Sequence, residues 1–290
     1  MTPTSSSPGA ERSPANGPRL YGAGHQGRIT LHDLATAKLR GERWPMLTAY
    51  DAMTARLFDE VGVPVLLVGD SAANVIYGYE TTIPITMDEL VPLVAAVTRG
   101  TRRALVVADM PFGTYQASPD QALEQAARFL KEGGAHAVKL EGAQRILPQV
   151  EALVGAGIPV MGHLGLTPQS VNALGGYRVQ GRGGAGEQLL RDAKSLESAG
   201  AFAVVLEVVP AELATRVTAA LSIPTIGIGA GGGCDAQVNV WQDLVGLTPA
   251  PHPKFIRPYA DTRSLIADAV RAWSDDVVTG EYPSPDQSYQ

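Results

Sequence analysis

The stretch VLLVGDSAAN (residues 65–74) carries an apolar run straight into a carboxylate and a hydroxyl. The run VLLV is apolar at every position, as is typical of a strand in a parallel sheet that helices cover. Asp70 and Ser71 follow it directly. A carboxylate is costly to bury, so its place at the end of a buried strand needs a reason. The same kind of ending recurs along the chain.

Short apolar runs alternate with amphipathic segments from residue 30 onward. Seven runs are clear strand candidates and the eighth is weaker: 45–50, 65–70, 104–111, 136–142, 159–165, 201–209, 224–231 and 238–243. Caps, prolines and glycines mark helices between and around them: 30–42, 86–100, 118–134, 210–221 and 263–280. This alternation predicts an α/β fold, a (β/α)8 TIM barrel with an N-terminal helix. No G-x-G-x-x-G follows the first strand, which disfavours a dinucleotide-binding sheet.

Composition bounds the class of protein. The chain has 290 residues, 45% of them apolar, a net charge of −6 and a mean hydropathy of +0.02. The sequence contains no basic run that would indicate nucleic-acid binding, and no apolar segment is long enough to span a membrane. The single cysteine, Cys234, cannot form an internal disulfide, which favours the cytoplasm.

Residues 1–27 are rich in Ser, Pro and Gly and are predicted to be a disordered tail. Residues 28–283 are then one catalytic barrel, and residues 284–290 a C-terminal tail.

Polar residues stand at the carboxyl ends of six predicted strands: Asp51, Asp70 with Ser71, Asp109, Lys139 with Glu141, His163, and Glu207. In a barrel these ends open onto one face, where the active site forms. Asp51 precedes a helix and is the best candidate for a plain cap. The other carboxylates would repel one another unless a cation offsets their charge. An oxygen-rich site without a cysteine cluster suits Mg²⁺.

Two glycine-rich segments lie near the predicted mouth of the barrel. Residues 166–186 form a long irregular stretch that could cover the mouth or could be a plain surface loop. GIGAGGG (227–233) follows the seventh strand, where barrels often bind an anionic group, although a glycine run alone is weak evidence.

Eight blocks stand in order along the chain: VGDS (68–71), TTIPIT (81–86), ADMPF (108–112), VKLEG (138–142), GHLGLTPQSVN (162–172), GGYRVQGRG (175–183), LEVVPAELA (206–214) and GIGAG (227–231). Together they resemble the ketopantoate (3-methyl-2-oxobutanoate) hydroxymethyltransferase family. The resemblance covers residues 28–283. It implies a TIM barrel, a homo-oligomer that is usually a decamer, and bound Mg²⁺.

The resemblance also implies a reaction and a set of roles. A one-carbon unit passes from 5,10-methylenetetrahydrofolate to 3-methyl-2-oxobutanoate, and ketopantoate forms for pantothenate and coenzyme A synthesis. Asp70 and Asp109 match metal ligands, with Glu141 nearby or bridging through water. Ser71 and Lys139 match positions that hold the oxo acid. Glu207 matches the proton acceptor.

His163 is predicted as a further substrate contact, and Asp70 and Asp109 also border the substrate. Three other functions stay open. A Mg²⁺-dependent lyase that cleaves a carbon–carbon bond in an oxo acid would use the same constellation. A Schiff-base aldolase would use Lys139, and a catalytically silent barrel would have lost Asp109 or Glu207.

Overall fold

The computed structural model describes residues 19–22, 25, 27–176 and 178–289. Eight parallel strands close into a barrel in sequence order, and β8 pairs back with β1. The strands are β1 (Trp44–Thr48), β2 (Val65–Val68), β3 (Leu105–Asp109), β4 (Ala137–Glu141), β5 (Val160–Gly165), β6 (Ala203–Glu207), β7 (Thr225–Ile228) and β8 (Ala236–Asn239). The predicted TIM barrel is confirmed.

Helices connect the strands and flank the barrel. They are α1 (Leu31–Leu39), α2 (Ala52–Val61), α3 (Ala72–Val75), α4 (Met87–Gly100), α5 (Pro119–Lys131), α6 (Leu147–Gly155), α7 (Val171–Leu174), α8 (Ala185–Ser198), α9 (Ala211–Ala220), α10 (Trp241–Leu244) and α11 (Thr262–Thr279). Thr30 and Thr86 close capping boxes at α1 and α4, and Gly280 ends α11 at a φ of 79°. Local capping chemistry therefore sets several of the helix ends that the sequence predicts.

The eighth strand is displaced from its predicted position. The sequence suggests a strand over 238–243, whereas β8 spans Ala236–Asn239 and a helix begins at Trp241. Only alternate residues of β8 are buried, because Gln237 points outward to solvent while Ala236 and Val238 face the core. This alternation hides the strand from a search for continuous apolar runs.

The predicted N-terminal tail lies mostly outside the described residues. Its described part includes residues 19–22, which contact the barrel. Leu20 is buried, its backbone N–H donates to Glu42 Oε1 at 2.6 Å, and Gly22 N–H donates to the Gly62 carbonyl at 3.2 Å. Leu20 is thus packed against the barrel, which the prediction of a tail over 1–27 did not anticipate. The predicted C-terminal tail holds one exposed helical turn, Pro285–Gln287.

Two apolar cores share the strands. One fills the barrel interior and includes Met46, Leu67, Val107, Met161 and Val205. The other lies between the strands and the surrounding helices. β1 to β6 bury alternate side chains in each core, which is why most strand sequences are apolar throughout.

The last long helix, α11, does not join either core. None of its residues is buried, although it is 18 residues long. Ile266, Val270, Trp273 and Val277 follow one another at helical spacing and are 45–54% exposed. They form a continuous apolar stripe on one face, which is named the α11 stripe below. Among the described helices, none is long and apolar enough to cross a membrane.

Candidate active site

The strand-end residues meet in one cleft at the carboxyl end of the barrel. Its volume is about 150 Å³, and its lining includes Asp70, Ser71, Asp109, Lys139, Glu141, His163 and Glu207. The structure therefore brings together all seven predicted site residues. Asp51 stays apart: its carboxylate accepts from the N–H groups of Met53 and Thr54 and caps α2, as expected.

Two acidic residues at the ends of neighbouring strands lie side by side in the cleft. Asp70 follows β2, and its backbone N–H donates to Asp109 Oδ2 at 3.0 Å. Both side chains are buried. Burial, followed by the charges of Asp109 and Glu141, raises the pKa of Asp70 to about 8. Burial also raises the pKa of Asp109, even though Lys139 opposes it. The pair is therefore electrostatically unfavourable without more positive charge.

Lys139 reaches into this pair from β4. Its Nζ lies 2.6 Å from Asp109 Oδ1. Burial lowers the pKa of Lys139, but the carboxylates of Asp109, Glu141 and Asp70 outweigh burial and raise it above its ordinary value. A Schiff base needs a neutral amine, so this charged lysine is unsuited to the aldolase alternative.

His163 joins two carboxylates, a role the sequence did not predict. Its Nδ1 lies 3.3 Å from Glu141 Oε1, and its Nε2 lies 3.2 Å from Glu207 Oε2. Burial and Lys139 lower the pKa of His163, but hydrogen bonding to Glu141 and Glu207 raises it to about 9. His163 thus lies between the two carboxylates, and the side chain of Glu207 is 16% exposed at the edge of the cleft.

Gln169 is the main residue that sequence reasoning missed. Its side-chain NH₂ donates to Asp70 Oδ2 and to the Met110 carbonyl, both at 2.9 Å, and its backbone N–H donates to Glu141 Oε2 at 3.0 Å. The Tyr115 hydroxyl donates to Gln169 Oε1 at 2.8 Å. Gln169 thereby fixes two carboxylates at once. Its signals in the sequence were its place in the irregular segment 166–186 and in the block GHLGLTPQSVN (162–172).

A second hydroxyl pair borders the cleft. Tyr50 Oη lies 2.8 Å from Ser71 Oγ, and burial raises the pKa of Tyr50, so its phenol stays protonated. A Cβ at position 69 would lie 2.7 Å from Ser71 Oγ, so a larger residue than Gly69 would force this hydroxyl to move. The glycine of VGDS thus leaves space for the Ser71 hydroxyl at the end of β2.

The donor set fits a divalent metal with few protein ligands. Among the described residues, no three His, Cys, Asp or Glu side chains have the spacing of a complete ligand set. Mg²⁺ is usually held by only one or two carboxylates, with water and substrate completing its shell. Asp70 and Asp109 meet this requirement. Glu141 already accepts from Gln169, so water is the natural link between Glu141 and the metal.

Residues 28–285 match the family model described as ketopantoate hydroxymethyltransferase. The chain belongs to this family. It is 67% identical over 262 residues to a 3-methyl-2-oxobutanoate hydroxymethyltransferase of Frankia casuarinae, covering 90% of this chain and 88% of the relative. It is 59% identical to the Streptomyces coelicolor protein of the same name, covering 99% of both chains.

Solved structures share the fold of this family member at much lower identity. A phosphonopyruvate hydrolase in complex with oxalate and Mg²⁺ aligns with a TM-score of 0.58 and 12% identity, over 89% of this chain and 92% of the other. A 2,3-dimethylmalate lyase aligns with a TM-score of 0.54 and 17% identity, over 90% and 91%. These likenesses support the barrel fold alone.

Proposed function

We propose that this chain transfers a hydroxymethyl group from 5,10-methylenetetrahydrofolate to 3-methyl-2-oxobutanoate and so forms ketopantoate for pantothenate and coenzyme A synthesis. One observation carries the proposal: strand-end carboxylates surround Lys139 and His163 in a cleft of about 150 Å³, in a chain of this family. The volume suits a small oxo acid, since larger ligands occupy roughly 300–1,000 Å³.

The metal site is the first part of the proposal. Asp70 and Asp109 would hold Mg²⁺ directly, and Glu141 would reach it through water. The metal supplies positive charge that polarises the keto group and stabilises the negative charge left when the C3 proton departs. Lys139 and Ser71 would hold the carboxylate side of the oxo acid, with His163 beneath it.

Glu207 is the proposed base. It ends β6 at the edge of the cleft, and its Oε2 lies 3.2 Å from His163 Nε2. Glu207 is not one of the proposed metal ligands, so its carboxylate at the rim is available to take the C3 proton. It can later pass that proton to a departing folate nitrogen.

The atoms balance as follows. The C3–H bond and both carbon–nitrogen bonds of the folate methylene break. A new C3–carbon bond and a bond from that carbon to a water oxygen form. One O–H bond of water also breaks. The C3 proton and one water proton end on the two folate nitrogens, and the other water hydrogen stays on the new hydroxyl. Neither an oxidant nor a reductant is needed.

A homo-oligomer, expected to be a decamer from the resemblance, is the third part of the proposal. The α11 stripe is apolar and uncovered. On the outside of the barrel, helices bury the outward residues of other strands, such as Leu66 and Val204 at 0% exposure. Over the β8–β1 seam, however, a groove of about 630 Å³ lies open beside Pro45 and Gln237. An α11 helix from a second copy would cover it.

Light scattering tests the assembly. The wild-type chain should run as a decamer, and Trp273→Glu should run as smaller species because a charge in the α11 stripe opposes burial. A wild-type monomer would contradict the proposal. The cytoplasmic location stays a prediction that cell fractionation would test.

An assay of the purified protein tests the reaction. Ketopantoate should form only when 3-methyl-2-oxobutanoate, Mg²⁺ and methylenetetrahydrofolate are all present. Glu207→Gln should abolish turnover and deuterium exchange at C3 while the oxo acid still binds, and the exposed Glu212→Gln is the matched control. Normal exchange in Glu207→Gln would remove Glu207 from the role of base. Cleavage of an oxo acid without folate would favour the lyase alternative.

A further inference from the structure

A second cavity adjoins the cleft and is much larger. Its volume is about 900 Å³, and Ser71, Asn74 and Glu207 line both spaces. It is named the side cavity here. The small cleft has room for the oxo acid but not for a bicyclic co-substrate with a long tail. The side cavity falls in the range of roughly 300–1,000 Å³ that larger ligands occupy.

The walls of the side cavity are mainly apolar. They include Val75, Leu166, Val179, Val209, Phe255 and Ile256. Val179 remains 40% exposed and offers uncovered surface to a ligand, while Phe255 also lines the groove over the β8–β1 seam. The Phe255 ring sits against Gly229, where a Cβ would lie 2.9 Å from the ring. Apolar and aromatic walls of this kind suit flat heteroaromatic and phenyl rings.

Charge in the side cavity is sparse. Apart from Glu207, the only carboxylate in its described lining is Asp243, and the only cation is Lys254. Within the described residues, the side chains of Asp243 and Lys254 make no hydrogen bond and no ion pair. Both are therefore free to bind a ligand. An acceptor and a cation select a ligand that carries adjacent N–H donors and one or more carboxylates.

We propose that the side cavity binds the folate-class co-substrate, with Asp243 accepting from the amino and ring N–H groups of the pterin and Lys254 pairing with the glutamyl carboxylates. The inference rests on the proposed function. The reactive methylene lies between the pterin and the phenyl ring of such a molecule. Its carbon must therefore reach the junction of the two spaces, where Glu207, Ser71 and Asn74 stand.

This placement also explains why Glu207 lines both spaces. The base must touch the C3 proton in the cleft, and the carbon that replaces this proton must arrive from the side cavity. A single carboxylate at the junction can take the C3 proton before the new bond forms and can pass it to a departing folate nitrogen afterwards. The side cavity thus supplies position and specificity, while the cleft supplies the chemistry.

Kinetics of Asp243→Asn provide the first test. The KM for methylenetetrahydrofolate should rise tenfold or more, because an amide presents a donor where the pterin also presents donors. The KM for the oxo acid and the rate of C3 deuterium exchange without folate should stay unchanged. The exposed Asp120→Asn on α5 is the matched control. An unchanged KM for the folate would overturn the role of Asp243.

Calorimetry of Lys254→Ala provides the second test, since this exposed variant should fold. Wild type should bind tetrahydrofolate at least fivefold more tightly than tetrahydropteroate, which lacks the glutamyl carboxylates. Lys254→Ala should lose this difference while its affinity for tetrahydropteroate is unchanged, and Lys131→Ala should keep the difference. A difference that survives in Lys254→Ala would overturn the role of Lys254.

The two levels of inference fail in different ways. If wild type neither exchanges C3 hydrogen nor forms ketopantoate, the proposed function is wrong. If wild type does both and the variants of Asp243 and Lys254 leave folate kinetics and binding unchanged, only the assignment of the side cavity is wrong.

Discussion

The two ends of the barrel interior have opposite chemistry. Toward the amino ends of the strands the interior is filled by apolar side chains such as Met46, Leu105 and Met161. At the carboxyl ends the same strands bury Asp109, Lys139 and His163. Close packing stabilises the first region. The second region places like charges in a poorly solvated space, so it costs stability and is retained for function.

Asp70→Asn should give the largest effect. It should lower turnover, which depends on the charged end of the barrel, without lowering stability. Removing one of the buried negative charges should lower turnover by more than the ~10–100-fold typical of an outer partner of a metal. Without Mg²⁺, the free energy of unfolding should stay equal or rise, because repulsion with Asp109 and Glu141 is relieved. Urea titration and the ketopantoate assay measure both. Asp51→Asn, at another strand end, should change neither.

Met161→Ala, at the apolar end, should lower the free energy of unfolding and leave turnover nearly unchanged. Met161 is fully buried, and truncating such a side chain typically costs about 2–5 kcal/mol of unfolding free energy. Turnover per folded molecule at 15 °C should stay within twofold of wild type. Denaturant curves and active-site-normalised rates give the two values. A loss of turnover with unchanged stability would contradict the view that the apolar end supports stability and the charged end supports turnover.

Gln169→Leu should show how far the charged end depends on its supporting contacts. The variant keeps the volume of the side chain but loses the donors to Asp70 and the Met110 carbonyl. Mg²⁺ affinity by calorimetry should fall by about 10–100-fold. Gln144→Leu, which loses only surface bonds to Asp192 and Ser195, is the control. Equal Mg²⁺ affinities in the two variants would remove Gln169 from the site.

His136 provides the smallest effect, at the amino end of β4. Burial, followed by the charge of Arg28, lowers the pKa of His136 to about 4. Between pH 6.5 and 4 the unfolded chain binds a proton that the folded chain refuses, so this contribution to stability is complete above pH 6.5 and declines as pH falls. Unfolding free energies of His136→Asn should vary less steeply with pH in that window. Identical slopes would refute this prediction.

Most of the fold could be predicted from residues that act locally. The runs at 65–70 and 104–111 are apolar throughout because helices cover one face and the barrel interior covers the other. β8 was harder, since Gln237 faces the open groove and breaks the pattern. The uncovered α11 could not be foreseen, because its stripe has the same spacing as a helix that packs on its own barrel.

The sequence by itself determined the alternation of strands and helices, the caps, and which strands end in acidic, basic or imidazole groups. Those features depend on neighbours a few residues away. Only the tertiary structure decided that Gln169 would bind Asp70 across 99 residues, that His163 would join two carboxylates, and that a large cavity would open beside Glu207. Such contacts depend on barrel closure, which brings distant strand ends within hydrogen-bond distance at angles that no local pattern encodes.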